Sequence, residues 1–166
     1  MRLRLLVLLI AVAAVALVQP LSAVTDTKPL TVSATVAATA KLTLTSATVT
    51  FPDADPDVTP SIPANEGAIT VTAKAKTGAA SLVTLTLLAA TDLTSGSDTI
   101  AISNVTWTVS GAGFVAGTMN RTVAQTVGSW TGSGNRTGTQ TYALANSWSY
   151  ATGSYSAAAT YTLTAP

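Results

Sequence analysis

The stretch Leu30–Thr45, LTVSATVAATAKLTLT, alternates almost without a break. Leu30, Val32, Ala34, Val36, Ala38, Ala40, Leu42 and Leu44 are apolar, and Thr, Ser or Lys stand between them, with Ala37 the one exception. A period of two places every apolar side chain on one face of an extended chain, so the run predicts β-strand with one buried face. It is far longer than an ordinary strand of about 5–6 residues. Ser46 then shifts the phase, and Ala47, Val49 and Phe51 carry the apolar positions. Such a shift predicts a bulge or bend. The run therefore divides into two strand-sized pieces. Leu42–Phe51 is expected in the domain's own sheets. Leu30–Ala40 is expected either on the edge of its own domain or on a neighbouring subunit.

The rest of the chain reads the same way. PDADPDVTPSIPANEG, from Pro52 to Gly67, holds four prolines and predicts a stiff loop of about 15 residues. AITVTAKAK predicts a strand with Ile69, Val71, Ala73 and Ala75 inward and Lys74 and Lys76 on the solvent face. SLVTLTLLA predicts another, with Val83, Leu85, Leu87 and Ala89 inward. Thr94–Asp98 is a turn, and Asn104 marks a change of phase between Ile100 and Ile102 on one side and Val105, Trp107 and Val109 on the other, a second expected bulge. Residues 114–127 alternate only weakly. Gly128–Thr139 reads as a glycine-rich loop, followed by a short strand, QTYALAN. A last strand carries Tyr155, Ala157, Ala159, Tyr161, Leu163 and Ala165 on one face. About eight or nine strands separated by turn signals predict an antiparallel sandwich or barrel.

The N-terminus has a different character. Arg2 and Arg4 precede an apolar run from Leu5 to Val18, Gln19 and Pro20 break it, and Ala23 offers a small residue for cleavage. This is the pattern of a secretory signal peptide over 1–23, leaving 24–166 as a single domain. A retained anchor is the rival reading, but the run is short against the roughly 20 residues of a span. Without Arg2 and Arg4, six Lys/Arg face seven Asp/Glu, so no basic face is expected for nucleic acid. No polybasic stretch suggests an anionic membrane, and no second long apolar segment suggests a span in the mature chain. The ending YTLTAP shows no sorting signal, so attachment to a surface is expected to be non-covalent. With no cysteine, stability must come from core burial. An outer-membrane barrel is disfavoured, because aromatic residues are only 5% and its interfaces call for aromatic girdles.

The composition also argues against catalysis. Without His or Cys the usual nucleophile–base pairs are missing. None of Lys28, Lys41, Lys74 or Lys76 follows a serine by three positions, which removes the Ser-x-x-Lys arrangement. The carboxylates Asp26, Asp53, Asp55, Asp57, Glu66, Asp92 and Asp98 lie near the mature N-terminus or in and beside loops, with nothing to place a glycosidase pair. Asp53, Asp55 and Asp57 resemble the start of a calcium loop, but Val58 replaces the expected glycine and Ala64 the closing Glu. A solvated, proline-stiffened loop is the simpler reading. GSGNRTG lacks the lysine of a phosphate-binding loop and no helix follows it. Trp107 shares the inward phase of Val105 and Val109 and is expected in the core. Trp130 and Trp148 are either packed over an open end of the fold or exposed as a sugar platform. No catalytic residue, cofactor or metal site is assigned.

Two resemblances bear on function. The ending GSYSAAATYTLTAP resembles that of bacterial WxL domains, with Tyr161-Thr162-Leu163 at the second Trp-x-Leu motif, and SLVTLTLLAATDLTSGSDTIAISNVTWT resembles the segment around the first, with Val83-Thr84-Leu85 in its place. Val83 and Tyr161 thus stand where the family has tryptophan. The resemblance implies non-covalent association with the Gram-positive wall through peptidoglycan. The layout, with an alternating N-terminal strand and a G-x-Y strand at the end, also resembles spore-coat-U-like and pilin subunits. That likeness implies an N-terminal strand lent to a neighbour. The expected fold is an all-β, antiparallel immunoglobulin-like β-sandwich. The expected function is a non-enzymatic, secreted, cell-surface or envelope-associated structural domain of WxL-like character. The alternatives are a pilin-like fibre subunit assembling by strand donation and a carbohydrate-binding module. Expected partners are the cell envelope and its peptidoglycan, or neighbouring surface subunits, with self-association among the outcomes.

Overall fold

The computed structural model describes residues 23–166. The expected signal peptide, except its last residue, lies outside them. The described chain is all-β. Its strands are β1 (Thr39–Leu44), β2 (Ser61–Lys76), β3 (Leu82–Ala89), β4 (Leu93–Ser95), β5 (Asp98–Ile100), β6 (Val105–Ser110), β7 (Gly117–Thr118), β8 (Gln125–Thr131), β9 (Gly134–Ala145) and β10 (Ala159–Thr164). They form a five-stranded sheet in the order β1-β2-β9-β6-β7, a three-stranded sheet β10-β3-β8 and a hairpin β4-β5. Every pairing is antiparallel. Among the described residues no helix is long and apolar enough to cross a membrane.

Alternation sets the core. Ile69, Val71, Ala73 and Ala75 on β2 and Val83, Leu85, Leu87 and Ala89 on β3 are buried, as their phase predicts. They join Val105 and Trp107 of β6, Val127 and Trp130 of β8, and Tyr142 and Leu144 of β9 in one apolar cluster fed by both large sheets. Val36–Pro166 forms one compact unit. Residues 23–35 belong to a separate unit, have no secondary structure and are exposed throughout.

The opening run splits earlier than its sequence suggests. Only Thr39–Leu44 pairs with β2, from Thr39↔Lys76 to Leu44↔Val71. No strand pairing involves residues 30–38. The phase shift is a bend: Ser46 Oγ accepts from Thr48 N at 3.1 Å and donates to Thr48 O at 2.9 Å. Beyond the bend, Thr50 donates from its backbone N and its Oγ1 to the Glu66 carboxylate, both at 2.8 Å. These bonds, the backbone one foremost, hold the Glu66 carboxyl below its ordinary range.

Three expectations need correction. The proline-rich loop ends at Pro60, because Ser61–Pro63 already pairs with Ala145–Ala143 of β9. Ile62 and Ala64 are buried there. Pro63 is tolerated because β1 pairs only with Val71–Lys76 of β2, so no strand ladder on that side loses a bond to proline. The second phase change is a 3-10 turn, Ile102–Asn104, rather than a bulge. It lets Ile102 and Val105 both point inward.

The third correction is the largest. Gly128–Thr139 is not a loop but the end of β8, a two-residue turn and the first half of β9. Gly132 makes the turn at φ 77°. Gly128 and Gly138 lie against aromatic rings. A Cβ on Gly138 would lie 2.5 Å from Phe114 Cδ2, and one on Gly128 would lie 3.4 Å from Trp130 Cζ3. Phe114 and Trp130 pack with ring centroids 6.5 Å apart. Trp130 is therefore core, 7% exposed.

Candidate assembly surface

The free edges of the two large sheets on one side are β1 and β10, which lie close to each other without pairing. Their inward side chains are incompletely covered. Leu42 and Leu44 of β1, Tyr161 and Leu163 of β10, and Ala165 just beyond it are only half-buried against the core. A free edge also presents unpaired backbone N–H and C=O groups, which template an added strand. Residues 30–38 have the pattern of such a strand. Leu30 is 87%, Val32 84% and Val36 76% exposed, although alternation marks all three for burial.

A polar cluster lies beneath β10. Gln140 is fully buried on β9, and its Oε1 and the phenol oxygens of Tyr142 and Tyr161 lie within hydrogen-bond reach of one another, with Tyr142 Oη 3.0 Å from Oε1; the two phenol protons serve two of these three contacts at a time. Gln140 Nε2 has no partner within the described protein. Burial raises both phenols above the ordinary tyrosine range, and for Tyr142 the neighbouring Tyr161 adds to the rise. Both are protonated in the fold and more acidic when unfolded. Their contribution is complete below about pH 10 and is lost as pH rises beyond it. Thermal melts are therefore expected to fall steeply above about pH 10, and less steeply in Tyr142→Phe. Equal slopes in both proteins would refute this assignment. Sequence reading missed the cluster, although Gln140 shares the inward phase of Tyr142 and Leu144.

The two stretches resembling Trp-x-Leu motifs lie on adjacent strands, Leu163 opposite Leu85 and Tyr161 opposite Leu87. Val83 and Leu85 are fully buried. Of the suggested sugar platform, only Trp148 is open, at 69% exposure. Its Nε1 donates to Asp57 Oδ1 at 3.1 Å. Asn146 Nδ2 ties the same loop through Ala54 O at 2.9 Å and Thr59 O at 3.0 Å. Asp55 Oδ1 accepts from Asp57 N at 2.9 Å, so Asp55 serves the turn. Among the described residues no three His, Cys, Asp or Glu side chains are gathered to hold a metal ion. No protein-family model, curated protein or solved structure matches the chain.

Proposed function

We propose that this chain is an exported, non-enzymatic structural subunit of the cell surface, an immunoglobulin-like β-sandwich that associates by adding its N-terminal segment to the edge of a neighbouring copy. The observation that carries this reading is the state of residues 30–38: strand-patterned, apolar on one face, exposed and without a pairing partner. Isolated strands are not stable in water, and backbone pairing with burial of alternate side chains is the usual resolution. The half-covered β1 and β10 edges supply a matching surface.

Mature protein, residues 24–166, is expected to form oligomers in light scattering. Deleting 30–38 is expected to give monomers with an unchanged melting temperature, and these are expected to bind a synthetic Leu30–Ala38 peptide. Monomeric mature protein, or a deletion variant indifferent to the peptide, would refute strand addition. The second reading, WxL-like association with the wall, is favoured by the side-by-side placement of the two motif-like stretches. It predicts co-sedimentation of mature protein with purified peptidoglycan, and its absence would count against that reading.

A further inference from the structure

Charge is sorted along the five-stranded sheet. The register of β2 with β9 defines two ends, Lys74↔Asn135 and Ala75↔Gly134 at one and Ser61↔Ala145 at the other. Along β9 they are roughly 35 Å apart at about 3.3 Å per residue. The first end carries Lys41, Lys74 and Lys76 on its outer face, all exposed. Lys41 stands directly opposite Lys74. Like charges facing across a ladder are destabilising, and among the described residues none of the three forms a salt bridge. The other end carries the loop with Asp53, Asp55 and Asp57, all exposed and none in a salt bridge among the described residues. Trp148, in the segment after β9, is tied to that loop through Asp57. Val58 beside it is 78% exposed.

We propose that copies of this chain dock head to tail, the lysine end of one against the aspartate–tryptophan end of the next. Each end alone leaves like charges unneutralised, and the only complement of that size on the described surface is the opposite end of another copy. Such a contact is heterologous, so it repeats into a filament unless the rotation closes a ring. Direction follows from the chain path and rests on the strand-addition reading. β1 begins at Thr39, opposite Lys76, so the preceding segment leaves the domain at the lysine end. In a head-to-tail stack that end faces the aspartate end of the next copy. β10 runs from that aspartate end, with Ala159 opposite Ala89, towards Thr164 opposite Thr84 near the start of β3. An entering segment 30–38 therefore lies antiparallel to β10.

The test uses mature protein, K41E/K74E/K76E, D53K/D55K/D57K and their equimolar mixture, each verified as folded by circular dichroism. Sedimentation velocity is expected to show wild-type association weakening at least tenfold between about 50 mM and 500 mM NaCl, as screening shortens. Each reversed variant is expected to lose association, and the mixture to regain it. Trp107 and Trp130 are buried, so a blue shift of tryptophan emission on association is expected to come from Trp148 and to vanish in Trp148→Phe. Association indifferent to salt and to both reversals overturns the head-to-tail contact. If deletion of 30–38 abolishes association while the reversals do not, strand addition stands and this contact falls. If the reversals abolish it and the deletion does not, the contact stands and strand addition falls.

Discussion

Trp107→Ala is expected to destabilise the domain by about 3–5 kcal/mol, the range for deleting a buried aromatic side chain. Trp107 is 2% exposed and sits where β6, β7 and β9 meet. Its ring packs on Tyr142 with centroids 6.4 Å apart. Its Nε1 donates to Val115 O at 2.8 Å, which ties the irregular segment after β6 to the sheet. Gly117, opposite Trp107 on β7, leaves space for the indole, since a Cβ there would come within 2.6 Å of Cζ2. Alanine would remove the packing and the bond together and leave a void that glycine cannot fill. Urea unfolding monitored by far-UV circular dichroism measures the loss. Trp107→Phe is expected to retain part of the stability, because it keeps ring packing and loses only the Val115 bond and some area. A loss under about 1 kcal/mol for the alanine variant would show that the indole is not a keystone of the core.

Gly138→Ala is expected to cost about 1–3 kcal/mol or more through overpacking. The new methyl would meet Phe114 Cε2 at 2.7 Å and Ser110 O at 2.5 Å. The ring can turn aside, but the carbonyl belongs to β6, whose Ser110 lies opposite Thr139. The second variant Phe114→Leu should therefore relieve the clash only in part. Full recovery of stability in Gly138→Ala/Phe114→Leu would show that the carbonyl yields and the ring was the whole obstacle.

Gly138 also shows where sequence reading succeeds and fails. Periodicity located Val71, Leu85 and Trp107 in the core because each inward side chain is itself large and apolar. It failed at Gly138 because the atoms filling that inward position come from Phe114 and Ser110, distant in sequence. A glycine that yields space to a ring has the same letter as one that makes a turn. Pro63 misled for a related reason, since its tolerance depends on how far β1 extends along β2. The unpaired state of residues 30–38 was legible only as an alternative, because alternation announces that a face will be buried and is silent on whose chain buries it. The sorting of charge between lysine and aspartate ends became visible only once strand register was known.

The two free edges and the loose apolar segment have a kinetic consequence. A mature copy carries both halves of the proposed joint as soon as its sheets have closed, and the proposed joint calls for no titration or ligand to expose them. Timing then rests on encounter alone, so the local concentration of finished subunits becomes the control. Raising it slowly in vitro should show a lag followed by growth, whereas a pulse should scatter the chain among many short, competing starts.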